Sequence, residues 1–158
     1  MLALALLHIA HAADHEVYAG THLDVTHAEG LTGVGLTGQL GYRLHLGRFT
    51  VGAAAAFGSI HDPVTGLELE AGMHLRPKAK IYKPWIGVEA VGLFADPRTT
   101  TSYRDVGVGD LRLALRPLAF HFGPISMSTM ELSWGEAERN GAWRTAFGLN
   151  ALQMGVIF

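Results

Sequence analysis

The sequence predicts an all-β protein, a closed antiparallel up-and-down transmembrane β-barrel of about eight strands. Three observations carry that prediction. Apolar and polar residues alternate over long stretches, most cleanly where Val34, Leu36, Leu40, Tyr42, Leu44 and Leu46 alternate with Gly35, Thr37, Gln39, Gly41, Arg43 and His45. A period of two puts such sets on opposite faces of a strand. Hydrophobic residues make up 49% of the chain and charged ones only 16%, against about 25% charged in ordinary soluble domains. No apolar run after the N-terminus reaches the roughly 18 residues of a spanning helix, which leaves strands as the way for so apolar a chain to cross a bilayer.

The strands follow in order. Residues 15–25 set Val17, Ala19, Leu23 and Val25 against Glu16, Tyr18, His22 and Asp24; residues 34–46 form the second strand. The third, 49–60, is small on both faces from Ala53 to Ala56, which suits a narrow lumen. In the fourth, 67–76, Leu67, Leu69, Ala71, Met73 and Leu75 alternate with Glu68, Glu70, Gly72, His74 and Arg76. The fifth, 84–94, opposes Ile86, Val88, Ala90 and Phe94 to Trp85, Gly87 and Glu89. The sixth, 106–118, opposes Leu111, Leu113 and Leu115 to Asp110, Arg112 and Arg116. In the seventh, 125–134, Met130, Leu132 and Trp134 oppose Glu131 and Ser133, with Ile125 and Met127 out of phase; the eighth, 143–158, slips phase near Asn150. Each slip reads as a β-bulge or as a displaced strand boundary.

Polar connections at 27–30, 61–66, 96–105 and 135–141 fall at one end of these strands; the mostly shorter 47–48, 77–83 and 121–124 fall at the other. Short turns at one end and longer loops at the other, joining an even number of strands of about 9–11 residues, are the arithmetic of a bacterial barrel. Twenty glycines disfavour helices and suit closely packed strands. Residues 1–12, an apolar run ending in Ala10-His11-Ala12, read as an export leader with an Ala-x-Ala cleavage site, although the usual Lys or Arg after Met1 is absent. Residues 13–158 are then one barrel domain. The absence of cysteine excludes a disulfide framework and thiolate metal sites.

The last strand carries Leu152, Met154, Val156 and Phe158 at alternate positions and finishes on the aromatic. It resembles the final strand of bacterial outer-membrane barrels, whose terminal aromatic the assembly machinery reads as a signal. By strand count, loop alternation and this ending, the chain resembles the small eight-stranded barrels of the OmpA and OmpX type. That resemblance implies a place in the bacterial outer membrane, with its lipid, lipopolysaccharide and the barrel assembly machinery as partners.

Alternation alone does not say which face is inside. A soluble lipocalin-like ligand-binding barrel would turn its Leu and Val inward; the low charge and the terminal strand favour lipid on the apolar face. The polar face then encloses Glu16, Asp24, Glu68, Glu70, Glu89, Asp110 and Glu131 together with Arg43, Arg76, Arg112, Arg116 and Arg144. Eight strands leave an interior just wide enough for side chains, and charges enclosed there must pair. This lumen charge network is expected to be structural.

Little in the sequence points to catalysis. Nine histidines invite a metal reading, but His22, His45 and His74 show no His-x-His or His-x3-His spacing, and zinc needs three or four converging ligands. No metal and no cofactor are assigned; His27 and His61 are expected in solvated loops, and His121 in a turn. The stretch Lys83-Pro84-Trp85-Ile86-Gly87-Val88-Glu89-Ala90 resembles the central strand of lipid A deacylase barrels. Those enzymes carry His-x-Ser on a late strand, where this chain has Glu131-Leu132-Ser133. Without a general-base histidine a serine stays a weak nucleophile, so an acyl hydrolase is the alternative rather than the expectation. A net charge of −2 gives no reason to expect nucleic acid. The expected role is a structural or surface-interaction barrel, with any specificity in the loops at 96–105 and 135–141.

Overall fold

The computed structural model describes residues 13–28, 31–60, 62–95, 108–139 and 142–158. The expected leader (1–12), His61 and the loop expected at 96–105 lie outside the described residues. Nine β segments follow one another: β1 Asp14–Ala28, β2 Leu31–Leu46, β3 Phe49–Ile60, β4 Asp62–His74, β5 Trp85–Ala95, β6 Val108–Arg116, β7 Leu118–Phe122, β8 Ile125–Arg139 and β9 Ala142–Ile157. Each pairs antiparallel with the next in the chain, except that β6 and β7 both pair with β8, and β1 also pairs with β9, which closes the sheet.

β6 and β7 both pair with β8 and form one stave interrupted at Pro117, so the barrel has eight staves. The sequence reading ran this strand to residue 118 and put His121 in a turn. Proline has no N–H to give the ladder, so pairing stops there, but it resumes at once, and His121 sits on β7 opposite Ser126. The turn follows at Gly123, whose φ of 62° is one that side chains rarely adopt. Gly47, at φ 69°, makes the β2–β3 turn by the same means.

Both phase slips correspond to irregular pairing. On β9 the register with β1 shifts between Thr21 and His22, whose partners are Leu152 and Asn150. Met130, facing the same level of β9, takes a φ of 58°. An extra residue there turns the alternation over, which brings Ser126, Ser128, Glu131 and Ser133 to the inside despite their broken phase.

Two expectations about the connections need correction. The polar stretches at 27–28, 62–66 and 135–139 are strand, because the ladders run on almost to the hairpin tips, as in Ala28↔Leu31 and Ile60↔Asp62. His27 accordingly lies on β1. At the opposite end, near the chain termini, the β4–β5 connection is long, from Leu75 to Pro84, and is pinned by Leu75 N–H donating to the Pro84 carbonyl at 2.8 Å.

The radial order of the barrel is inverted relative to a soluble fold. Among the described residues twenty buried ones are polar or charged, against eight apolar ones, five of them alanine. The large apolar residues point out: Leu36 is 61% exposed, Leu40 56%, Leu111 61% and Leu113 52%. Aromatic residues lie outward near the terminus end (Tyr42, Phe49, Tyr82, Phe122, Phe158) and in the far halves of β3, β8 and β9 (Phe57, Trp134, Phe147). An apolar band between two aromatic girdles is the exterior of a membrane barrel. A lipocalin-like barrel would show the opposite order.

Candidate functional site

The lumen is where this chain concentrates its chemistry, and small residues make room for it. The inward row of β3 is Thr50, Gly52, Ala54, Ala56 and Gly58, nothing larger than threonine. A β-carbon added at Gly41 would lie 2.3 Å from Cζ of Tyr18, and one at Gly72 or Gly87 would lie 2.3 Å from the Trp85 ring. Tyr18 therefore lies over a glycine of the neighbouring strand, and Trp85 over one glycine of the neighbouring strand and one of its own. Each also carries a cation: the Arg43 guanidinium stands 4.2 Å from the Tyr18 centroid, and that of Arg116 stands 4.1 Å from Trp85. Trp85 completes its own bonding by donating Nε1–H to Thr50 Oγ1 at 2.6 Å.

Two arginines hold the central layer together. Arg43 on β2 donates from Nη1 to Glu16 at 2.8 Å, from Nη2 to Glu70 and Gln153 at 3.1 Å each, and from Nε to Glu70. Arg116 donates to Glu131 and Glu70, and more weakly to Glu89 at 3.4 Å. Glu70 is the shared acceptor, and the layer spans the lumen from β1 to β8. A second layer nearer the far end joins Arg112 to Asp110 and sets its Nη1 3.4 Å from His22 Nε2. Between them Gln39 donates to Glu68 at 2.6 Å and accepts from Asn150 at 3.3 Å.

The carboxylate oxygens of Glu68, Glu70 and Glu89 approach within 4.8 Å of one another. Arg116 reaches two of these groups and Gln39 the third, so the protein's own donors serve the cluster. In a water-poor interior such multiply bonded pairs specify geometry more than they add stability, but removing one partner strands the other.

The sequence-assigned residues divide accordingly. Glu16, Arg43, Glu68, Glu70, Glu89, Asp110, Arg112, Arg116 and Glu131 are all buried in the lumen. Arg76 is not among them: it follows the end of β4, is exposed, and lies over the Tyr82 ring at 5.6 Å. Alternation beyond His74 had carried it inward, but the strand ends there and the chain turns away. Asp24 and Arg144 lie on β1 and β9, with their side chains outside the described residues. Leu152, Met154 and Val156 face outward on β9, and Phe158 stacks on His15 with centroids 5.8 Å apart.

Two groupings were not visible in the spacing. His45, His74 and His121, one each from β2, β4 and β7, meet at the terminus end of the lumen, with ring centroids 5.4–5.8 Å apart. Ser133 Oγ and His22 Nε2 both lie within 2.3 Å of the position a β-carbon at Gly148 would take, a neighbourhood that no local motif encodes. Ser133 is nevertheless sealed inside the barrel, 5% exposed, and makes no hydrogen bond there.

No family model and no curated protein matches the sequence. Among solved structures, the chain is similar to Neisserial surface protein A (NspA), with a TM-score of 0.68 over 91% of this chain and 97% of that one, at 8% identity. The fold is that of a small outer-membrane β-barrel. As in any such barrel, the apolar exterior described above is the lipid-facing surface. A looser likeness, TM-score 0.48 at 11% identity over 92% of this chain and 99% of the other, is to Ail of Yersinia pestis, solved with the heparin analogue sucrose octasulfate.

Proposed function

We propose that the protein is a closed outer-membrane barrel with a structural or surface-interaction role, surrounded by lipid and lipopolysaccharide and inserted by the barrel assembly machinery. The observation that carries this reading is the continuous side-chain plug from Glu16 through Arg43, Glu70 and Arg116 to Glu131. A solute path would have to break several charge-assisted bonds inside a lumen of only eight staves. The plug also counts against the acyl-hydrolase reading, because an acyl chain in the bilayer cannot reach Ser133 through the wall. Any external ligand is met beyond the wall, at the hairpin tips.

Planar-bilayer recording with the refolded barrel tests this reading. The expected result is a silent membrane at protein levels that give full insertion. Discrete, ohmic single-channel steps would overturn the closed-barrel reading and replace it with a pore.

A further inference from the structure

We propose that the terminus-end rim of the barrel is a binding surface for anionic phospholipid, with Arg48, Arg76, Lys78 and Lys80 meeting the headgroup phosphate. All four are exposed, and they lie in the connections at 47–48 and 75–84, which contain no acidic residue. Asp14 is the one exposed acidic side chain among the described residues at this end. None of the four cations makes an ion pair among the described residues, whereas the arginines of the lumen all do. Their surroundings are those of a bilayer edge. The Arg48 guanidinium lies 5.7 Å from the Phe49 ring and donates to Met73 Sδ at 3.3 Å, so it runs along the outer wall. The Arg76 guanidinium stands 5.6 Å from the Tyr82 centroid. Both rings belong to the aromatic girdle of this end, the level at which such residues meet lipid headgroups. Long basic side chains placed there lay their stems on apolar surface and lift their charge to the phosphates.

The segment that carries three of these cations is built into the wall. Lys83 N–H donates to the Ala119 carbonyl and His121 N–H to that of Ile81, each at 2.8 Å, and Tyr82 pairs with Phe120. β7 has β8 on its other side, so residues 81–83 occupy the edge that β7 would otherwise leave open. This holds Leu75, Ile81 and Tyr82, all exposed, beside the apolar exterior, with Arg76, Lys78 and Lys80 between them in the chain. A face for a soluble acidic protein has no need of leucine and isoleucine turned outward next to its cations. A lipid uses both, its acyl chain against the apolar residues and its phosphate against the cations. Given the outer-membrane reading above, on which this site depends, the short turns face the periplasm, and the rim meets the phospholipid leaflet. Basic clusters at a membrane edge favour anionic headgroups over zwitterionic ones, by about fivefold for each cation near the surface.

The chain has no cysteine, so a single introduced thiol can carry a fluorescent label, in Ile81→Cys at the rim or in Leu113→Cys on the outer wall. Each labelled full chain is refolded into vesicles of phosphatidylcholine and phosphatidylglycerol in equal parts, with brominated acyl chains on one lipid or the other. Quenching of the label at 81 should report phosphatidylglycerol enriched at least about fivefold over phosphatidylcholine, the preference that one basic side chain supplies, and high salt should weaken it. The label at 113 should be quenched in these vesicles, which registers insertion. Arg76→Gln, Lys78→Gln and Lys80→Gln combined, all at exposed positions, should leave quenching at 113 as in the parent and abolish the preference at 81. Equal quenching at 81 by the two lipids overturns the site while leaving the membrane barrel intact, and so does a triple variant that keeps the parent's preference. A label at 81 quenched by neither lipid, with that at 113 quenched, overturns it too, since the rim would then stand in water and suit a soluble acidic partner. Failure of quenching at 113 as well would overturn the membrane reading itself, and this site with it.

Discussion

Glu16 and Arg43 are direct cross-strand partners on β1 and β2, joined by a 2.8 Å bond between Arg43 Nη1 and Glu16 Oε2 with both side chains nearly sealed from solvent. The pair fastens the first hairpin of the barrel to the lumen plug, because Arg43 also holds Glu70 two staves away. Arg43→Met removes the cation from two buried carboxylates at once. It should destabilise the folded barrel by about 3–5 kcal/mol, the range for breaking a buried pair. Equilibrium urea unfolding in lipid vesicles measures this, and Glu16→Gln added to Arg43→Met should recover part of the loss.

Tyr18 occupies the space that a side chain at Gly41 would need. Gly41→Ala should therefore cost about 1–3 kcal/mol, as overpacking does elsewhere. Tyr18→Leu in the same chain should relieve most of it, whereas Tyr18→Leu alone should be destabilising. Additive losses in that double-mutant cycle would show that the two positions are not in contact.

On the outer face the rule reverses. Leu40→Arg and Leu113→Arg, near strand middles, should each cost about 2–4 kcal/mol in a bilayer, the midplane cost of an arginine facing lipid. Gln39→Leu, one residue from Leu40 but in the lumen, loses the bond to Glu68 without adding charge and should cost less than either. Unfolding titrations in vesicles of one lipid composition give all three values.

The folded barrel should resist SDS at room temperature, because its backbone ladder closes on itself and leaves no edge. An unboiled sample should migrate differently from a boiled one, and Arg43→Met should lower the temperature at which the two forms interconvert.

Much of this was legible because a barrel strand faces two solvents. In β2 and β4 a strict period of two sorts the residues between lipid and lumen, and the inward set, from Glu68 and Glu70 to Arg43, follows directly. Legibility fails where the period itself is interrupted. Pro117 breaks the sixth stave without ending it, so His121 looked like a turn residue; the bulge at Met130 and Asn150 hid the inward Ser126 and Ser128 of β8. Arg76 misled for the converse reason, since its spacing is right but the strand has already ended. The histidine cluster and the Ser133–His22 proximity depend on closure, which brings together residues as distant in the chain as His15 and Phe158 and leaves no trace in local spacing. The hairpin lengths were misjudged because polar composition marks exposure to water, and a ladder that projects past the bilayer is both polar and paired.

The central claim, that this barrel wears its apolar residues outside and its charges within, can be read from two native tryptophans. Trp134 is 59% exposed on the outer wall and Trp85 is 1% exposed in the lumen. Two variants isolate them, Trp85→Phe with Trp143→Phe and Trp134→Phe with Trp143→Phe, each refolded into vesicles carrying brominated acyl chains. The account predicts strong quenching of Trp134 and little of Trp85. Quenching of Trp85 with Trp134 untouched and emitting as if in water would contradict it and turn the barrel inside out.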